Sequence, residues 1–400
     1  MFTRLQLSDP LERWAVGLAD CLLAPVAGLR RLKPRPTAAP PRAILLVRLE
    51  RIGDLLMSLG AIRAVRERAP GVRIELVVGS WNEPLARLTP WVDRIETLDL
   101  PWLARGAPHA GLGARIGAAL GWRRRRFDLA INFEGDIRSN LLLWLSGAPR
   151  RVGFGMAGGG PLLTDCVPYD PHAHVAANSL RLVERALGSA PGEAPVSAPC
   201  LSVPATARDR AAVLLGREAA AGPIVGIHAS GGRRIKQWDP GRFAEVAARL
   251  ARSHGARIVL TGSAADRPDV DRLKAGLPAG IQVTDLAGEN DLVILAAVLE
   301  RLAVFVTGDT GPMHLAAAVG TPIVGIFGPS DPTRWGPLAA SARIVRVDLP
   351  CSPCNRIRRP PRRCVGHVPD CLDKVPADRV YEAVVSVIAE PGARGSGHVR

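Results

Sequence analysis

From residue 43 onward the chain repeats one unit, a short apolar run followed by a segment of helical spacing, and it does so in two successive series. Residues 43–47 (Ala-Ile-Leu-Leu-Val) offer no polar face, which marks a strand buried on both sides. Residues 55–68 have helical periodicity, Pro70-Gly71 interrupts it, and residues 72–78 form the next strand, so the first series opens with a βαβ unit. A strand is expected at residues 127–133, running into Glu134-Gly135-Asp136, then a loop-rich insertion at 153–160 and a helix at 176–187. Residues 189–206 are rich in Pro, Ala and Ser without periodicity and read as an interdomain linker. The pattern then restarts: strand 223–229, helix 241–253, strands 257–261 and 281–286, helix 292–302, strand 303–307, helix 312–319 and strand 323–327. Alternation of this kind predicts an α/β class with two parallel-sheet domains and right-handed crossovers. The expected division is an appended segment 1–42, a first domain 43–200 and a second domain 207–390. Ligands in such sheets bind beyond the carboxyl ends of the strands, so a cleft between the two halves is the expected site.

Four hundred residues exceed one ordinary domain, and 47% hydrophobic with 22% charged residues excludes collagen-like, coiled-coil and wholly disordered classes. The net charge of +15 suits an acidic partner: a phosphorylated metabolite, nucleic acid or an anionic bilayer. Aromatic residues at 4%, with no stacking cluster, argue against nucleic acid, and Arg123 to Arg126 after Trp122 read as a solvated helix face. In the appended segment Asp20 and Pro25 interrupt the apolar stretch 14–29, so no spanning helix is expected. Asp9 and Glu12 precede that stretch and Arg30, Arg31 and Lys33 follow it, the reverse of a secretory leader, which points to a cytoplasmic site of action. The segment reads either as an interfacial helix pressed on anionic lipid, peripheral on the inner face of the inner membrane, or as a helix packed on the body with a basic, proline-rich linker.

Three loops after predicted strands carry candidate chemistry. The first is Arg48-Leu49-Glu50-Arg51-Ile52-Gly53-Asp54, where Gly53 permits a turn that most residues resist and Asp54 falls at a helix start. There Asp54 is either an N-cap or a general base over the cleft, and a carboxylate fully engaged in capping is the weaker base. The second is Ser230-Gly231-Gly232-Arg233-Arg234-Ile235-Lys236-Gln237-Trp238-Asp239-Pro240, in which glycines, a hydroxyl and three cations suit a diphosphate. Its plain alternative is a basic surface loop with Trp238 packed beneath and Asp239-Pro240 opening the next helix. The third is Thr307-Gly308-Asp309-Thr310-Gly311-Pro312-Met313-His314, ended by Gly320-Thr321-Pro322. It sets a helix N-terminus after a strand, an anion site to which Thr310 and His314 can add hydrogen bonds, unless it is a turn built for packing alone. Asp309 would repel phosphate unless it bound sugar hydroxyls or a cation such as Lys236. No Walker A sequence and no Gly-x-Gly-x-x-Gly opening the first unit is present, which weakens kinase and dehydrogenase readings.

Cys21, Cys166 and Cys200 are isolated, which argues against an extracellular disulfide framework. Cys351, Cys354, Cys364 and Cys371 have C-x₂-C-x₉-C-x₆-C spacing among arginines and read as a structural zinc site or, preferred here, as free or reversibly paired thiols. No catalytic metal is assigned to them.

Taken together, the Gly53-Asp54 loop, the Ser230…Lys236-x-Trp238 loop and the Gly308-to-His314 motif followed by Gly320-Thr321-Pro322 resemble glycosyltransferase family 9, the ADP-heptose:lipopolysaccharide heptosyltransferases, over roughly residues 43–385. That resemblance implies a GT-B fold, two Rossmann-like domains facing across a cleft, with the nucleotide-sugar donor on the second and the acceptor on the first. It implies Asp54 as catalytic base, Lys236 on the donor phosphates and Asp309 on the heptose hydroxyls. Ser230, Thr310, Gly311 and His314 fall at phosphate-binding positions, and Gly53 and Arg51 at substrate-binding ones. It implies no cofactor, ADP-heptose as donor and an acidic glycolipid or glycan as acceptor. The chain departs from the best-studied members at Glu50-Arg51, where they carry Ser-Ser, and in its segment 1–42. A nucleotide-sugar epimerase of the same architecture and a non-catalytic nucleotide-sugar binding protein are the rival readings.

Overall fold

A computed structural model describes residues 5–7, 9–31, 40–101, 103, 111–188, 201–216, 222–289 and 291–390. The chain separates into two compact units, Met1–Val196 and Ser197–Arg400. Residues 189–200 of the expected linker lie outside the described residues, while residues 205 and 206 open the helix Ala205–Leu215 instead.

The first unit is built on a six-stranded parallel sheet of β1 (Ala43–Arg48), β2 (Arg73–Val78), β3 (Arg94–Thr97), β4 (Leu129–Asn132), β5 (Arg150–Phe154) and β6 (Asp165–Val167), in the order β3-β2-β1-β4-β5-β6. Strands β1 and β4 run side by side in the middle, with Val47 opposite Asn132. The uniformly apolar run at residues 43–47 is buried throughout, as a two-faced strand must be. Leu45, Val47 and Ala130 pack with Trp122 and Phe127 in one apolar cluster, where full burial of each large side chain contributes roughly 1.5–3 kcal/mol.

The second unit repeats the plan with β7 (Ile224–His228), β8 (Arg257–Leu260), β9 (Val283–Asp285), β10 (Val304–Gly308), β11 (Ile323–Ile326) and β12 (Ala342–Val345), ordered β12-β11-β10-β7-β8-β9. Read from the other edge this is the same strand order, so each unit has one place where the direction of winding reverses. That place lies between β1 and β4 in the first unit and between β7 and β10 in the second. Crevices at such reversals are where open parallel sheets bind ligands.

Several elements have no counterpart in the sequence reading. β3 (Arg-Ile-Glu-Thr) alternates polar and apolar, β6 has three residues, and β5 begins with two arginines, so none shows the apolar run of a central strand. The insertion expected at residues 153–160 is corrected at its start, because Gly153 and Phe154 finish β5 and pair with Asn132 and with β6. Helix Leu112–Arg125 carries Gly113, Gly117 and Gly121, which weaken a helical signal. The solvated face expected at Arg123 to Arg126 holds at the exposed Arg123, Arg124 and Arg126, the last of which closes the helix in a left-handed conformation, and is corrected at Arg125, which turns inward to the buried Glu75 and to Glu96.

The appended segment forms the helix Pro10–Arg31, seated on the first unit. Residues 32–39 of its basic tract lie outside the described residues. Among the described residues no helix is long and apolar enough to cross a membrane.

Candidate functional site

The turn after β1 stands at the reversal point of the first sheet. The helix that follows spans Ile52–Arg68, so it begins three residues earlier than its periodicity suggests. Gly53 lies within its first turn, in a conformation open to any residue, and not in the special turn expected of it. Arg51 is the exposed N-cap and Asp54 the third helical residue. Asp54 Oδ2 accepts from the Arg51 amide at a long 3.3 Å, and Oδ1 lies 3.5 Å from a guanidinium nitrogen of Arg48. The capping contact is loose and the Asp54 side chain keeps 28% of its surface accessible, so capping does not occupy the whole carboxylate.

Beneath Asp54 sits a group to which the sequence reading gave no role. Arg48 closes β1 with only 3% of its side chain exposed. Its guanidinium donates to the carbonyls of Phe133 (2.7 Å) and Asp54 (3.2 Å) and lies 3.0 Å from Glu50 Oε2. A buried cation with this many carbonyl and carboxylate partners holds the loop's shape. Glu134, at the carboxyl end of the adjacent β4, is buried and accepts from the Leu49 amide. Burial pushes its carboxyl up to about 6, against the pull of Arg48 and the Leu49 amide. The available signal was a charged residue at the carboxyl end of each of two apolar strands, which burial obliges to find a partner.

In the second unit the turns after β7 and β10 meet at the other reversal point. A methyl group added to Gly231 would lie 3.6 Å from both Gln237 Cγ and Thr310 Cγ2, and one added to Gly308 would come within 3.2 Å of the Lys236 carbonyl. The two motifs thus form one constellation. Lys236, in the short turn Arg234–Lys236, places Nζ 2.7 Å from Asp309 Oδ2. Thr310 N-caps the helix Gly311–Ala318, its hydroxyl accepting from the Met313 amide (3.3 Å) and lying 3.0 Å from Thr307 Oγ1. Gly311 opens that helix and His314 is buried within it. The positive helix end and Lys236 together suit an anion.

Ser230 is buried, with Oγ 3.2 Å from His228 Nε2, and His228 Nδ1 lies 3.2 Å from the Thr261 carbonyl. A carbonyl only accepts, so Nδ1 is assigned the proton and Nε2 accepts from the Ser230 hydroxyl. Burial pushes the His228 imidazole below its ordinary value, which keeps it neutral. Trp238 packs edge-on against Phe243 beneath the loop and donates to the Val375 carbonyl, and Asp239 caps the helix Pro240–His254. The structural part of this loop and its cationic part are therefore separate residues.

Cys351, Cys354, Cys364 and Cys371 line a cavity of about 530 Å³ together with Arg356, Arg363 and Ile235. All four are free thiols, and burial with the neighbouring sulfurs of Cys354 and Cys364 pushes Cys371 up to about 11. Among the described residues no three His, Cys, Asp or Glu side chains group as a metal site.

With this geometry in place, comparison with known proteins is decisive about family. The sequence profile of Glycosyltransferase family 9 (heptosyltransferase) matches residues 115–362. Lipopolysaccharide heptosyltransferase 2 of Salmonella typhimurium is 28% identical over 360 residues, covering 87% of this chain and 99% of that protein. The Escherichia coli protein of the same name is 29% identical over 325 residues, covering 76% and 88%. The solved structure of E. coli ADP-heptose lps heptosyltransferase II superposes with a TM-score of 0.70 at 24% identity, over 86% of this chain and 98% of that one. The fold is thus that of GT-B glycosyltransferases, two Rossmann-like units in one chain. The profile spans more than half of the sequence, and the chain belongs to glycosyltransferase family 9, the heptosyltransferases.

Proposed function

We propose that the protein is an inverting heptosyltransferase that moves a heptose from ADP-heptose to a hydroxyl of an acidic lipopolysaccharide inner-core acceptor. The relatives named above are lipopolysaccharide heptosyltransferases. The observation that carries the reading is the Lys236–Asp309 pair at the capped N-terminus of helix Gly311–Ala318, in a chain of this family. A cation, a helix end and a sugar-binding carboxylate are what a nucleotide diphosphate-sugar needs. The surplus of +15 favours an acceptor bearing carboxylates and phosphates.

In this reading the second unit holds the donor. Lys236 and the first-turn amides of helix Gly311–Ala318 neutralise the diphosphate, and Asp309, drawn away from Lys236 by that competition, accepts from heptose hydroxyls. Ser230, Thr310 and His314 line the same anion site. The first unit holds the acceptor, aided by Arg51 and Gly53, and Asp54 takes the proton of its hydroxyl. The oxygen forms a bond to the anomeric carbon as the bond to ADP breaks, and the electron pair leaves on the β-phosphate. One displacement inverts the anomeric configuration. Arg48, 3.5 Å from Asp54 Oδ1 and donating to the Asp54 carbonyl, orients Asp54 for the transfer. The acceptor being lipid-borne, the enzyme would work in the cytoplasm, peripherally on the inner face of the inner membrane.

Calorimetric titration with ADP-heptose, other ADP-sugars and UDP- and GDP-sugars tests the donor, followed by assay of ADP release with and without inner-core acceptor. Selective ADP-heptose binding with ADP release only when acceptor is present is expected. Consumption of ADP-heptose without acceptor would return the epimerase reading, and failure to bind any ADP-sugar would end both.

A further inference from the structure

Helix Pro10–Arg31 is inverted relative to an ordinary surface helix. Leu11, Trp14, Leu18 and Leu22 recur at spacings of three and four and so share one face, and they are 81%, 58%, 59% and 70% exposed. The opposite face carries the helix's inward charge: Asp20 accepts from the Gly159 amide at 2.7 Å. Burial raises the Asp20 carboxyl above its ordinary value, so this contact is not a solvated one. Gly158 and Gly159 make the seat possible, since a methyl group on Gly158 would meet Val16 Cγ1 at 2.2 Å. A helix packed for its own burial would turn its leucines down and its aspartate out. This one does the reverse, held by a carboxylate and a glycine loop.

We infer that this face is a membrane-docking surface whose occupant is an anionic phospholipid bilayer. The inference deepens the reading of a lipid-borne acceptor and names the surface that would bring the enzyme to it. Four side chains of this size expose on the order of 500 Å², a large patch for a monomer but less than the roughly 800 Å² per partner of a standard stable dimer. Glu12 is the one charged residue among the exposed positions from 10 to 25. The sequence then supplies Arg30, Arg31, Lys33 and Arg35 directly after the apolar stretch. An apolar face followed by a basic run matches a surface that is hydrocarbon below and anionic phosphate above. Trp14 is of the residue type that sits at the level of lipid headgroups.

The test uses the full chain and vesicles without glycolipid or nucleotide, so its outcome is separate from that of the transfer reaction. Flotation is measured with phosphatidylcholine vesicles and with vesicles of phosphatidylcholine and phosphatidylglycerol at three to one, for the native chain and for Leu18→Glu/Leu22→Glu. Preferential flotation with the anionic vesicles is expected, with at least a tenfold loss of partitioning in the double variant and unchanged transfer to a detergent-dispersed acceptor. Quenching of native-chain tryptophan fluorescence by bromine-labelled lipid, lost in Trp14→Ser, gives a second readout independent of the charged variant. A native chain that does not float, or a double variant that floats as well as the native chain, overturns the inference. So does a native dimer that fails to float and that the same substitutions split, which would assign the face to a second copy of the chain.

Discussion

The two sheets share a strand order, and each places a strand-to-helix turn at its reversal point, yet the two turns are furnished in opposite ways. After β1 a buried arginine lies under Glu50 and Asp54, so positive charge is beneath and carboxylate is presented. After β10 the turn is lined by Thr307 and Thr310 hydroxyls, and its carboxylate, Asp309, is held by Lys236 from the neighbouring loop. One scaffold thus presents a carboxylate over a buried cation in the first unit and a cation beside a capped helix end in the second. The backbone plan decides where a site can be, and a few side chains decide its sign.

Asp54→Asn is the strongest attempt to break this contrast. It should lower kcat by about 10²–10⁴-fold while calorimetric donor affinity is retained, because the base belongs to the first turn alone. Undiminished turnover would leave Asp54 as a cap only. Lys236→Ala should cost about a hundredfold in kcat, roughly 3 kcal/mol, and should also weaken donor binding, which the first variant does not.

Two smaller effects sharpen the comparison through stability. Glu134 has its folded-state carboxyl raised from 4.5 to about 6. Its stabilising contribution is therefore complete below pH 4.5 and is lost as pH rises through about 6. Glu134→Gln should flatten that decline, by roughly 2 kcal/mol between pH 4.5 and 7 in urea unfolding. An unaltered pH profile would show that Arg48 compensates the charge fully. In the second turn, Thr310→Val removes the cap on the Met313 amide and should cost about 1 kcal/mol, a fall of about 2–4 °C in the Tm of its unit, with Thr310→Ser restoring most of it.

Much of this was legible in the sequence because the central strands are buried on both faces and cannot hide. β1, β7 and β10 announce themselves as apolar runs, and Pro240 and Pro312 mark where the helices after β7 and β10 start. The edge elements were harder for the converse reason. β3 alternates as an edge strand does, and β12 (Ala-Arg-Ile-Val) is only partly buried, so the pattern is diluted. The helix after β1 was read too short because Arg51 and Gly53 are poor helical signals, though the Asp54 carboxylate and the Arg51 amide close the turn regardless.

By itself the sequence determined the class of fold and the three loops that carry polar chemistry, since each follows from local periodicity and residue type, while the family came from the resemblance of those loops to known ones. Only the tertiary structure decided which of those residues meet. It joined Lys236 to Asp309, put Arg48 under Asp54 and Glu134 beside Leu49, and turned Leu11, Leu18 and Leu22 of the N-terminal helix outward. The Leu49–Glu134 pairing spans 85 residues of chain, and what fixes it and the Lys236–Asp309 pair is the order in which strands are laid into a sheet, a long-range property that no local spacing encodes.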